Sequence, residues 1–175
     1  MDAVPDWAAE VPEQLDWHWR TSLRPRLDGL TDDEYLWEPV PEAWSVREFD
    51  GRGAIDWAWP APSPPPVTTI AWRLAHVTVG CFEMRSAAHF GGPASSWDTA
   101  DLPLHADDAL ARLDGAYARW SEAVTALGPE GMARPCGPAE PYPDAPLGVL
   151  VLHINREVIH HGAEMALLRD LYVHR

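Results

Sequence analysis

Leu147-Gly148-Val149-Leu150-Val151-Leu152-His153-Ile154-Asn155-Arg156-Glu157-Val158-Ile159-His160-His161-Gly162-Ala163-Glu164-Met165-Ala166-Leu167-Leu168-Arg169-Asp170-Leu171-Tyr172 is the most regular stretch of the chain. Its Leu147, Leu150, Val151, Ile154, Val158, Met165, Leu168 and Tyr172 share one broad apolar face if the backbone turns by about 100° per residue, so the spacing predicts a long helix. Glu157 and His161 stand one turn apart, about 40° round the axis from each other. His161 falls inside the stripe of Leu150, Ile154, Met165 and Leu168, and Glu157 lies at its margin. His153 and His160 fall further round, toward the rim. An imidazole and a carboxylate four apart on an inward face make half of a divalent-metal site.

Working back along the chain, three more segments carry the helical rhythm. The first runs from about Val11 to Leu30 with Leu15, Trp19, Leu23, Leu27 and Leu30 on one side; Pro25 is expected to kink or split it, and Gly29 with Thr31-Asp32-Asp33 supplies a stop and a new cap. The second, about Thr69 to Phe90, closes at Gly91-Gly92-Pro93 and has Ile70, Leu74, Val77, Cys81, Met84 and Ala88 as its apolar stripe. The third, about Ala106 to Leu127, opens on Asp107 and Asp108, favourable at the positive end of a helix dipole. It ends at Gly128-Pro129 and buries Leu110, Leu113, Tyr117, Trp120, Val124 and Leu127. Four helices of roughly 20 residues, each about 30 Å long, predict an all-α fold, a four-helix bundle, forming one domain over residues 1–175.

Between the first two helices lies a long connection, Asp32 to Val67, with Trp37, Trp44, Trp57, Trp59 and seven prolines. Trp44-Ser45-Val46-Arg47 hints at extended structure. The tryptophans read first as a packed cap over one end of the bundle and second as a wall over a ligand site. A connection of this length also permits consecutive helices to run parallel.

Composition narrows the function. Thirteen Lys and Arg against 27 Asp and Glu give a net charge of −14, which repels phosphate backbones and anionic bilayers, so nucleic acid and membranes are not expected partners. The acidic start, Met1 to Glu10, has no basic end followed by an apolar run, and the expected location is the cytoplasm. Cys81 and Cys136 stand far apart in no metal-binding pair spacing, and both read as reduced. Cys81 is expected to pack as a small hydrophobe, while Cys136 sits in a Pro-Cys-Gly-Pro loop.

A third ligand for Glu157 and His161 has to come from another helix. His76, inside Trp72-Arg73-Leu74-Ala75-His76-Val77, is the best candidate, on a second side of its helix shared with Trp72, Val79 and the small Gly80 and Ala87, which leave room for an ion. A hydrogen-bonded core histidine is the competing reading of His76. For Arg156 and Glu164 the plain reading is a helix salt bridge.

Trp44-Ser45-Val46-Arg47, Thr68-Thr69-Ile70-Ala71-Trp72-Arg73-Leu74-Ala75-His76 and Asn155-Arg156-Glu157-Val158-Ile159-His160-His161-Gly162-Ala163-Glu164 together resemble the DinB-like (DinB/YfiT) superfamily of metal-binding four-helix bundles. The similarity is greatest to actinobacterial members related to the N-terminal domain of mycothiol-dependent maleylpyruvate isomerase. The resemblance implies a metal held by His76, Glu157 and His161, since that branch carries Glu and then His four apart on the last helix. It implies zinc first, with nickel or iron as alternatives, and mycothiol or a similar thiol as co-substrate. The small-molecule partner is then an electrophile that accepts the thiol sulfur, and a homodimer is compatible with the family. Gly162 stands where the bacillithiol-type branch usually has Arg. The isomerases carry a further C-terminal domain that this sequence does not contain, so an isomerase is not expected. A metal hydrolase and a non-catalytic ligand-binding bundle are the alternatives.

Overall fold

The computed structural model describes residues 5–175, and among these four long helical rods share one hydrophobic core. The first rod is α1 (Trp7–His18), a π-helical segment Trp19–Leu23, and α2 (Arg24–Arg26). Asp6 starts it by accepting a hydrogen bond from the Ala8 amide. Leu15, Trp19, Leu23 and Leu27 recur every fourth residue and are all buried. Residues four apart drift about 40° per step on an α-helix, and the wider π turn takes up that drift. Pro25 neither splits nor ends the rod, contrary to expectation. The Arg24 amide already reaches back five residues to the Trp19 carbonyl, so the ladder is displaced before the proline ring arrives. Gly29, at φ +68°, turns the chain, and Thr31 caps α3 (Asp32–Tyr35).

The fold is mostly helical as expected, and the long connection adds a short β-hairpin at and just beyond Trp44–Arg47, where the sequence hinted at extended structure. β1 (Val46–Phe49) pairs antiparallel with β2 (Arg52–Ile55). Asp50 and Gly51, both at positive φ, form the two-residue turn that suits the twist of paired strands. Gly53 is required by proximity: a Cβ there would lie 1.8 Å from the Leu102 carbonyl oxygen. Its backbone also accepts from the Leu102 amide and donates to Asp101, stapling the hairpin to the loop before the third rod. Beside the hairpin, Trp44 pairs with the chain entering the second rod, where Thr69 caps the helix and donates to Ser45 Oγ.

The second rod comprises α4 (Ile70–Ala75), a π-helical segment His76–Glu83, and α5 (Met84–Phe90), closed by Gly91 at φ +72°. Ile70, Leu74, Val77 and Cys81 are buried as the stripe predicts, but Ala88 is exposed and Ser86 and the His89 side chain are buried instead. A π turn adds a residue to the helix, so every inward position beyond it arrives one residue late. The third rod is α6 (Ala106–Thr125), whose first amide is capped from a distance by Asp32. Gly128-Pro129 ends it and also opens the short α7 (Gly128–Ala133), since a proline fits a first helical turn. The fourth rod is α8 (Leu147–Val173).

Cross-rod contacts fix the directions. Asn155 reaches Val11 and Asp170 reaches Arg26, so the first and fourth rods run parallel. Arg73 meets Glu164 while His76 meets Glu157, so the second and fourth are antiparallel. Arg24 meets Asp114 and Asp16 meets Tyr117, so the first and third are antiparallel too. The parallel consecutive pair is therefore the second and third rods. Trp120, Phe82 and Tyr117 fill the centre against Trp19, and truncating Phe82 to alanine there costs about 3–5 kcal/mol. No helix among the described residues is long and apolar enough to cross a membrane.

Candidate metal centre

The antiparallel contact of the second and fourth rods brings together His76, Glu157 and His161, although 81 positions separate the first two in sequence. His76 stands at the first position of the π segment, and Glu157 and His161 stand one turn apart on α8. Glu157 Oε2 lies 3.8 Å from His76 Nε2 and 3.6 Å from His161 Nε2, and the three donor atoms lie within 4.8 Å of one another. These separations are too long for hydrogen bonds. They are close to the roughly 3.4 Å that neighbouring ligands keep around a tetrahedral ion with bonds of about 2.0–2.1 Å.

His76 is oriented by aromatic rings. Trp72, one turn earlier, lies parallel to its imidazole at 7° and 5.5 Å between centroids, and Trp97 lies nearly parallel to it at 12° and 6.5 Å. Gly80 makes this possible: an added Cβ would come within 3.1 Å of the Trp97 ring and 3.6 Å of His76 Nδ1. The room expected there for an ion is thus occupied by indole. Trp44 extends the wall from Trp72 to Trp57, and Trp72 Nε1 donates to the Asp56 carbonyl, so the Trp-rich connection touches the site through Trp72. His76 Nε2 is buried and has no hydrogen-bond partner.

The electrostatics favour neutral imidazoles. Burial lowers the pKa of His76, against the pull of Glu157. Burial, helped by the charges of His76, Arg73 and His160, pushes His161 down to about 3. Neutral rings offer lone pairs, as metal ligation requires. Arg73 is itself held below the usual guanidinium range by burial.

Neighbouring residues depart from the simplest expectations. Glu164 pairs with Arg73 of the second rod, while Arg156 turns to His153 and Glu157; eight residues apart on one helix, Arg156 and Glu164 do not meet. His160 is exposed and reaches Glu164, and His153 lies at the rim as expected. Gly162 is a packing position, since a Cβ there would come within 3.0 Å of Leu23 Cδ1 and 3.4 Å of His18 Nε2. His18 was not anticipated: its Nε2 is buried without a partner, and burial lowers its pKa. A histidine between Trp17 and Trp19 in an amphipathic helix was the only signal. Cys81 is buried as expected, and Cys136 is partly buried in its loop.

Neither the comparison with curated proteins nor that with solved structures returns a match. A family model described as the DinB superfamily matches residues 54–165, a span that holds the second and third rods, His76, Glu157 and His161. With more than half of the chain covered, and with a largely helical structure of the kind that family adopts, this chain belongs to the DinB superfamily.

Proposed function

We propose that the rods form a DinB-type four-helix bundle in which His76, Glu157 and His161 hold one divalent cation, zinc first and nickel or iron second. We further propose that the protein transfers the sulfur of a mycothiol-type thiol to a small electrophile. The single observation that carries the metal reading is the buried, unpartnered His76 Nε2 facing a carboxylate and a second imidazole nitrogen. Two neutral imidazoles and one carboxylate suit a borderline-soft dication, and three protein ligands leave a position for an exogenous donor. When bound, such a cation lowers the pKa of a coordinated thiol, so that the nucleophilic thiolate persists at neutral pH.

The chain's own residues do the rest. Trp72 and Trp97, both nearly parallel to the His76 ring, restrict its orientation. Glu157 supplies the negative charge that offsets the cation. The side chains of His76, Glu157 and Glu164 remain partly exposed, so the site opens to a small molecule from the rim. The thiol class is supported by the Glu-then-His arrangement that the mycothiol-related branch carries.

The experiment is metal content by mass spectrometry for the wild type and for His76→Ala, Glu157→Ala and His161→Ala, followed by conjugation of mycothiol with monochlorobimane. About one ion per chain, lost in each variant, with conjugation faster than for metal-free protein, is the expected result. Unchanged metal in all three variants removes the site. Metal without thiol transfer, but with ester hydrolysis, replaces the transferase with a hydrolase.

A further inference from the structure

His161 belongs to two groups of potential ligands at once. Its Nε2 faces Glu157 and His76, and its Nδ1 lies 2.8 Å from Glu164 Oε2 in a second group completed by His160. The second group looks like a cation site in composition, but Arg73 decides against it. The guanidinium reaches across from the second rod to the same Glu164 oxygen, so a positive charge already occupies that side of the carboxylate. Glu164 Oε1 is 3.3 Å from His160 Nε2, and the carboxylate is thereby held from three directions.

A carboxylate accepts hydrogen bonds and donates none, so the hydrogen in the Glu164–His161 contact is on Nδ1. A neutral imidazole with its hydrogen on Nδ1 has its lone pair on Nε2, the atom turned toward Glu157 and His76. We infer that Glu164, clamped by Arg73, is a positioning residue that fixes the tautomer and ring orientation of His161 so that Nε2 is presented to the other two ligands. Its consequence for metal affinity rests on the reading of those three residues as ligands; the tautomer itself does not. The arrangement is the carboxylate–histidine support that tunes ligand basicity from outside the coordination shell.

Long-range proton–nitrogen correlation spectra of the metal-free protein at neutral pH test this directly, with His161 assigned by its absence in His161→Gln. The wild type is expected to show His161 as the Nδ1–H tautomer. Glu164→Gln keeps an acceptor oxygen and is expected to keep that tautomer, and Glu164→Ala is expected to lose it in favour of the Nε2–H form. Zinc affinity, measured by competition with a chromophoric chelator, is expected to fall about 10–100-fold in Glu164→Ala and to recover most of that loss in Glu164→Gln. An unchanged tautomer in Glu164→Ala, or equal damage from both substitutions at equal thermal stability, overturns the inference. If the wild type binds no zinc and the tautomer still switches in Glu164→Ala, the metal reading fails and the positioning role stands.

Discussion

The π-helical segment of the second rod has a different polar environment at each end. At its start, His76 Nε2 is buried and unpaired, 3.8 Å from Glu157 Oε2 and too far to bond it. At its end, the Glu83 side chain is less exposed than that of His76 but saturated: Arg112 donates to both of its oxygens at 2.8 Å and Ser95 donates a third bond at 2.9 Å. Both are polar side chains taken out of water on one short stretch of helix. A buried group that is fully paired belongs to the scaffold, whereas the unpaired nitrogen of His76 is the one on which the proposed cation site rests.

The largest expected effect breaks the His76 end. Alanine at His76, Glu157 or His161 should weaken zinc binding by more than the 10–100-fold typical of supporting residues, and His76→Ala should leave the thermal midpoint of the metal-free protein unchanged or raised, because an unsatisfied group is removed. A calorimetric titration alongside a thermal scan checks both. If His76→Ala unfolds the protein instead, the two ends do not differ in kind.

Glu83→Gln is the opposite case, expected to leave metal content intact and to cost about 1.5–3 kcal/mol at pH 7. Burial raises the Glu83 pKa, but the bonds from Arg112 and Ser95 outweigh it and hold the carboxyl below its ordinary 4.5. The folded state therefore keeps this carboxylate ionised where the unfolded chain has begun to take up protons. Its contribution is complete above about 4.5 and disappears as pH falls through the lower folded value. Urea unfolding from pH 7 to pH 3 should show the gap between wild type and Glu83→Gln closing across that window.

A smaller effect concerns the wall between the two ends. Cys81 is 2% exposed and burial pushes its thiol up to about 12, so Ellman's reagent should find about one reactive cysteine, Cys136, in the native protein and two after denaturation. Fast labelling of Cys81 would mean that the segment opens. The smallest effect is that of Gly80→Ala, which gains up to about 1 kcal/mol of helix propensity but presses on the Trp97 ring at 3.1 Å. Stability should be unchanged or higher while zinc affinity falls a few-fold, as the stack around His76 loosens.

Much of this was readable from residue spacing. The four apolar stripes marked the rods, Gly29 and Gly91 marked ends that positive φ values explain, and the four-residue step from Glu157 to His161 placed two donors on one face. His76 stood out because an imidazole in an apolar helix needs a partner. The π turns were not readable, because no local residue type encodes them. They relieve packing between rods, and their phase shift is what exposed Ala88 and buried Ser86. The hairpin did carry a signal, Asp50-Gly51 between short alternating runs, which the surrounding tryptophans and prolines obscured. The Arg73–Glu164 pair could not be found from one helix at a time, since it depends on how two rods are rotated against each other.

The extra residue in His76–Glu83 also bears on how this chain can be compared with others. A relative whose second helix is plain α would be one residue shorter there. An alignment that forbids gaps inside helices would then superpose His76 correctly and misassign Glu83, Ser86 and His89 by one place each. Deleting a single amino acid between Val77 and Phe82 would be the matching experiment in evolution's own terms: the segment would become plain α-helix, and Glu83, Ser86 and His89 would keep their present facing one number earlier while Thr69 and Trp72 stay where they are.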